Sequence, residues 1–271
     1  MIGKKKIEVE APLIPMNPNM DLITVDGGLD VKDKTMLIAF PGVGFAGLIA
    51  GHYVVEKTGM KYIGTFVSDY MPSVATIHDA VPYYPIKIFT NKEVIALLSE
   101  FVPTQPLTSL IIKTIYSHFI DNGVKKVILL EGILLSDMKD GEDARGIYGI
   151  GIRDEINKLL ENNGIALLKE GLITGISGML LSEAYLRNSN VICFLAEAHP
   201  MYPDARAAAS LIQALRIVDP QIKVDTKKLL ENAVEIEKNV KETLMRSKEL
   251  MDAKQKGLKA GDQRIRLPMY G

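Results

Sequence analysis

The 271-residue chain carries a single cysteine, Cys193. One thiol excludes an intrachain disulfide, so this is not a small secreted scaffold held by bridges, and it fits a reducing compartment. Cys193 lies in the apolar run 191–195 and reads as a small buried hydrophobe, not a nucleophile. Only four histidines occur, His52, His78, His118 and His199, and none stands in an HExxH or other zinc-ligand spacing. The GxSxG turn of serine hydrolases is missing. A net charge of −1 removes any general attraction to nucleic acid or to a membrane surface. No apolar run is longer than a strand requires, so no membrane span is expected. Lys4, Lys5, Lys6 and Glu8 are not followed by the apolar stretch of a secretory signal. The expectation is a soluble cytoplasmic protein with no metal and no cofactor.

What is present is ordinary for a protein with a full core: 47% hydrophobic and 24% charged residues. Short apolar runs alternate with segments of helical spacing. Residues 36–40, ending at Pro41-Gly42, read as a buried strand, and a helix over 45–57 stops at Gly59. A strand over 62–67 follows, then a hairpin of 84–89 and 94–98 around Asn91-Lys92. A helix is expected over 107–121 and a central strand over 126–130. Helices near 154–161, 179–187 and 205–218 alternate with strands near 165–168 and 191–195. This alternation predicts a layered α/β fold, a mainly parallel sheet flanked by helices.

Asp219-Pro220 reads as a boundary. The expected organisation is an α/β domain over 1–220, a helical segment over 221–258 and a tail over 259–271. Within the helical segment Leu229, Ala233, Ile236 and Val240 form a stripe at spacings of four and three, broken at Thr243 and Ser247. From Lys223 onward there are 12 basic and 8 acidic residues, a mixed-sign pattern that a solvated helix explains. The chain closes on Met269, Tyr270 and Gly271. Such an end offers a partner one tyrosine ring to bury and one α-carboxylate to pair.

Candidate chemistry is sparse. Gly42, Gly44 and Gly47 form a GxGxxG directly after a strand and opening a helix, the setting of a phosphate cradle. The acid that would bind a ribose is poorly placed, the first at the second strand's end being Asp69. A glycine-rich turn packing helix against sheet is the competing reading. Glu131 and His199 fall at the ends of parallel strands, where α/β sites form, so Gly42, Gly44, Gly47, Glu131 and His199 make a candidate ligand pocket. The acid-rich loop 137–143 lacks the EF-hand ligand ladder and reads as surface.

Three segments together resemble the proteasome assembly chaperone family, in particular archaeal homologues of the second of the paired assembly chaperones. They are Ala39-Phe40-Pro41-Gly42-Val43-Gly44, Ile176-Ser177-Gly178-Met179-Leu180-Leu181, and the run from His199-Pro200-Met201-Tyr202-Pro203-Asp204 to Ala208. The resemblance covers about residues 36–218. It implies a non-enzymatic α/β body that self-associates, in a ring-like homo-oligomer, and presents C-terminal segments to the proteasome core particle. In relatives ending in hydrophobic-Tyr-any, the tyrosine and terminal carboxylate enter pockets between α-subunits. Met269, Tyr270 and Gly271 match that pattern, with Pro268 holding the preceding residue extended. If the tail packs on the body instead, a second adaptor protein is expected to release it. Two other readings stay open: an oligomeric scaffold for another protein, and a nucleotide-handling enzyme using the Gly42–Gly47 loop.

Overall fold

A computed structural model describes residues 20–24, 29–134, 146–200 and 202–231. The expected helix to about residue 256, the acid-rich loop and the tail with Met269, Tyr270 and Gly271 lie outside them. In chain order the strands are β1 (Asp21–Thr24), β2 (Thr35–Ala39), β3 (Lys61–Val67), β4 (Thr76–His78), β5 (Val81–Tyr83), β6 (Ile86–Thr90), β7 (Val94–Ser99), β8 (Lys126–Ile133), β9 (Ile147–Gly151), β10 (Ala166–Leu167) and β11 (Val191–Glu197). The helices are α1 (Ala46–Lys57), α2 (Gln105–Ile115), α3 (Asp154–Asn162), α4 (Gly175–Arg187), α5 (Ala205–Val218) and α6 (Lys227–Glu231).

Nine strands form one sheet in the order β1-β3-β6-β7-β2-β8-β11-β9-β10. Its centre, β7-β2-β8-β11, is parallel, with Thr35 opposite both Val94 and Lys126, and Val191 opposite Val127. The margins are largely antiparallel: β1, β3, β6 and β7 pair in that sense, and so do β9 and β11. The layered α/β architecture is as the alternation predicted, and the parallel part is its buried middle. All five residues of β2 are buried, because helices cover both faces of a parallel centre.

The pleat divides the core in two. Leu37, Ala39, Ile128, Leu130 and Phe194 pack with α1, α5 and α6 on one face. Met36, Ile38, Val127, Leu129 and Leu195 pack with α2 and α4 on the other. Cys193 is fully buried in the second set, and burial raises its thiol pKa well above the ordinary value, with Glu131 adding to the shift. Ile222, Val224 and Leu229 are buried in the first, so packing continues past Asp219-Pro220. Asp219 itself accepts a hydrogen bond from Thr35 and faces Lys126 at 3.7 Å, tying the end of α5 to the starts of β2 and β8.

Local chemistry sets the boundaries. The Asn91 side chain accepts from the amides of Glu93 (3.0 Å) and Val94 (2.8 Å), fixing the turn of the β6–β7 hairpin. Pro106 lies inside the first turn of α2, where a missing N–H costs nothing, so that helix starts earlier than expected. Asp204 caps α5 through the amides of Arg206 (3.1 Å) and Ala207 (3.0 Å). Helix α4 starts at Gly175, four residues before the expected position, and the strand expected over 165–168 narrows to two residues. No described helix is long and apolar enough to cross a membrane.

Helix α1 is buried almost all round and lies very close to the sheet. A Cβ on Gly47 would stand 2.0 Å from the Leu130 carbonyl oxygen of β8. Gly47→Ala is therefore expected to push α1 off the sheet and lower the unfolding free energy by about 1–3 kcal/mol, read from urea denaturation. An unchanged midpoint would show that the helix can shift freely.

Candidate functional site

From β2 the chain runs through α1 toward β3, and from the neighbouring β8 it runs toward β9. Adjacent parallel strands whose connections diverge leave a crevice outside their carboxyl ends. Here it is a cleft of about 380 Å³. Its walls include Phe40, Pro41, Gly42 and Val43 after β2, Val102 and Pro103 after β7, Glu131 to Ile133 at the end of β8 with Leu134 following, and Leu172 to Ile176 before and at α4.

Glu131 supplies the charge in this apolar setting. Its Oε2 accepts a hydrogen bond from the Ser177 hydroxyl at 2.7 Å. Burial pushes its carboxyl pKa up to about 7, against the opposing effects of Ser177 and the Gly132 amide. A Cβ at position 42 would lie 1.9 Å from Glu131 Oε1, so only glycine leaves room for the carboxyl.

Of the sequence-nominated residues, Gly42 and Glu131 come together in the cleft. Gly44 and Gly47 serve packing. Gly44 has φ +58°, and its Cβ would meet the side chain of Ala198 at 2.9 Å. Its carbonyl accepts from the Asp204 amide at 2.7 Å, so the glycine turn locks onto the β11–α5 connection. A carboxylate over Gly42 has the wrong sign for a phosphate cradle, which weighs against the nucleotide reading. His199 does not line the cleft; its ring stacks on Tyr202, centroids 3.9 Å apart, and its amide donates to Asp204 at 3.1 Å. Ser177 had no role in the sequence reading. Its signal was its place in a segment already singled out, three residues after the Thr174 that precedes α4.

A second polar cluster escaped the sequence reading entirely. Glu100 Oε1 accepts from Lys87 Nζ (2.5 Å) and contacts His78 Nε2 (2.7 Å), with His52 Nε2 at 3.8 Å. Burial pushes the Glu100 carboxyl up, but the His78 hydrogen bond and the Lys87 charge together hold it at about 2. Burial lowers Lys87 despite Glu100 beside it. His52 is lowered to about 4 by burial first, against the pull of Glu100, although a third of its side chain still meets solvent. Tyr53, Tyr62 and Tyr83 line the adjoining cavity of about 560 Å³. The arrangement ties the small β4–β5 hairpin, which carries His78, to the main sheet.

These features define a class: a mixed-sheet α/β body with a switch-point cleft that holds one acid and a glycine turn used for packing. Residues 36–244 match the PAC2 family, and the chain belongs to it. PbaA of Pyrococcus furiosus, an archaeal homolog of proteasome-assembly chaperone, is 28% identical with a TM-score of 0.75, over 84% of this chain and 99% of that one. PbaB of the same organism, an archaeal proteasome activator, shares the fold at 16% identity and a TM-score of 0.67, over 83% of this chain and 99% of that one. An uncharacterized protein of Methanocaldococcus jannaschii is 26% identical over 228 residues, 84% of this chain and 92% of its own length.

Two predictions follow from the two acids. Because folding raises the Glu131 pKa from 4.5 to about 7, the folded state holds that proton more tightly. Its ionisation thus removes stability as pH rises across that window, by up to about 3 kcal/mol. Glu131→Gln should abolish this fall in unfolding profiles between pH 4.5 and 7, and an unaltered slope would refute the assignment. Lys87→Met leaves Glu100 buried without its cation and should cost about 3–5 kcal/mol, whereas adding Glu100→Leu recovers most of the loss. Additive losses in that double-mutant cycle would mean the pair is not coupled.

Proposed function

We propose that the protein is a non-enzymatic, homo-oligomeric chaperone-like protein of the proteasome, docking on core-particle α-subunits through Met269, Tyr270 and Gly271. The observation that carries this reading is the 28% identity to PbaA across nearly the whole of that chain, within one family. The cytoplasm is the compartment it implies, and the lone thiol agrees.

The energetics make self-association part of the mechanism. One tyrosine and one carboxylate supply only a few kcal/mol once ordering costs are met, so a single tail binds weakly. Several tails on one assembly raise avidity by about 10²–10⁴ when spacing permits joint engagement. A ring-like oligomer satisfies this requirement, and a second adaptor protein is needed only where the tail is masked by the body.

The test is binding to purified proteasome core particles with peptide hydrolysis measured alongside, comparing the full chain, a Tyr270→Ala variant and a chain lacking residues 269–271. Loss of binding in both altered forms is expected. Faster hydrolysis with the full chain marks an activator, and binding without acceleration marks an assembly factor or adaptor. Equal binding by all three forms would remove the tail from the mechanism, and absence of binding by any of them would favour a scaffold for another protein.

A further inference from the structure

The cleft between the ends of β2 and β8 combines features that a purely structural crevice has no use for. Its floor carries Glu131, and the described residues lining it include no lysine, arginine or histidine to neutralise that acid. Its rim carries three strongly exposed aliphatic side chains: Leu172 at 89%, Val102 at 63% and Leu134 at 57%. Position 42 is glycine, whose missing side chain leaves the space that the Glu131 carboxyl occupies. The ionised acid also works against the stability of the free protein, as its raised pKa implies. A group that costs stability and sits in a cleft is poised for a ligand.

The complementary ligand has an apolar stem and a cationic end. Lysine and arginine both fit that outline, and the hydrogen bonding at Glu131 separates them. Oε2 already accepts from Ser177 and Oε1 lies against Gly42, so less of the carboxyl is open to a guanidinium fork, which needs both oxygens in one plane. An ammonium is a compact charge with three rotatable donors and needs no such fork. Its four-carbon stem can lie along apolar walls while the head reaches the acid. The exposed rim adds apolar area for the backbone that carries the side chain, which a free amine would leave in water.

We propose that this cleft receives a lysine side chain of a partner protein, with the stem against Val43, Pro103 and Leu172 and the ammonium at Glu131. The site is separate from the C-terminal tripeptide and does not depend on the proteasome reading. Binding favours the ionised carboxylate, so affinity should fall toward the level of an uncharged analogue as pH drops below about 7, and level off above it.

The test uses the full chain with isotope-labelled leucine methyl groups, following Leu134 and Leu172 by NMR. It is titrated with Nα-acetyl-lysine methylamide, its norleucine and arginine counterparts, and n-butylamine. The expected result is saturable shifts with the lysine compound and at least about tenfold weaker binding for norleucine, as loss of a charge-assisted hydrogen bond demands. Arginine should also bind more weakly than lysine. Glu131→Gln, which preserves shape, should bring lysine down to the norleucine level and erase the pH dependence. Equal affinity for lysine and norleucine, or an unchanged affinity in Glu131→Gln, would overturn the proposal. So would binding of n-butylamine without binding of the lysine compound, which would make this a small-amine site, and so would the absence of shifts with every probe.

Discussion

The strand ends are organised by how closely the β2–α1 connection lies on β8. Gly47 approaches the Leu130 carbonyl, Gly132 approaches the Val43 carbonyl, and Gly42 faces the Glu131 carboxyl, each with no room for a Cβ. Backbone set against backbone at this distance cannot slide without opening a void, and voids in packed interiors are costly. Through Gly44 the same turn reaches the β11–α5 connection. Three strand ends and two helix starts are therefore fixed relative to one another, and the cleft inherits its shape from that junction.

The two prominent acids show how environment, not residue type, decides charge. Both are removed from water. Glu131 has one hydroxyl and one amide to offset burial, and its pKa rises to about 7. Glu100 has a hydrogen bond from His78 and the charge of Lys87, and its pKa falls to about 2. One oxygen of Glu100, Oε2, is nonetheless buried without a hydrogen-bond partner. The Lys87–Glu100 pair thus holds the β6–β7 region and the His78 hairpin together at the expense of an unsatisfied acceptor.

Periodicity made the middle of the sheet legible, because strands buried on both faces are continuous apolar runs: β2, β8 and β11 were all read from sequence. The Asn91 turn was legible for its own chemistry. β1, β9 and the β4–β5 hairpin were not expected. β9 is rich in glycine, with Gly149 and Gly151 where the Leu160 and Ile156 side chains press against the strand, so it lacks a strand's usual composition. At the site, the position of Glu131 at a strand end was informative, whereas His199 shared the location without sharing the cleft. Ser177 and the Glu100 cluster were invisible for a plain reason. Their partners lie 46, 13 and 22 residues away in sequence, and only the sheet order brings them together.

The nine-stranded sheet ends in strands of four residues at β1 and two at β10. An exposed strand edge is a template on which further chains can polymerise, and short edges are one of the ways proteins defend against it. Among the described residues, neither rim offers more than a few backbone groups to an incoming strand. A copy of this chain that meets another therefore has little to gain from extending the sheet. Side-chain surfaces, by contrast, can close into a finite, symmetric assembly where strand addition would run on as a fibre.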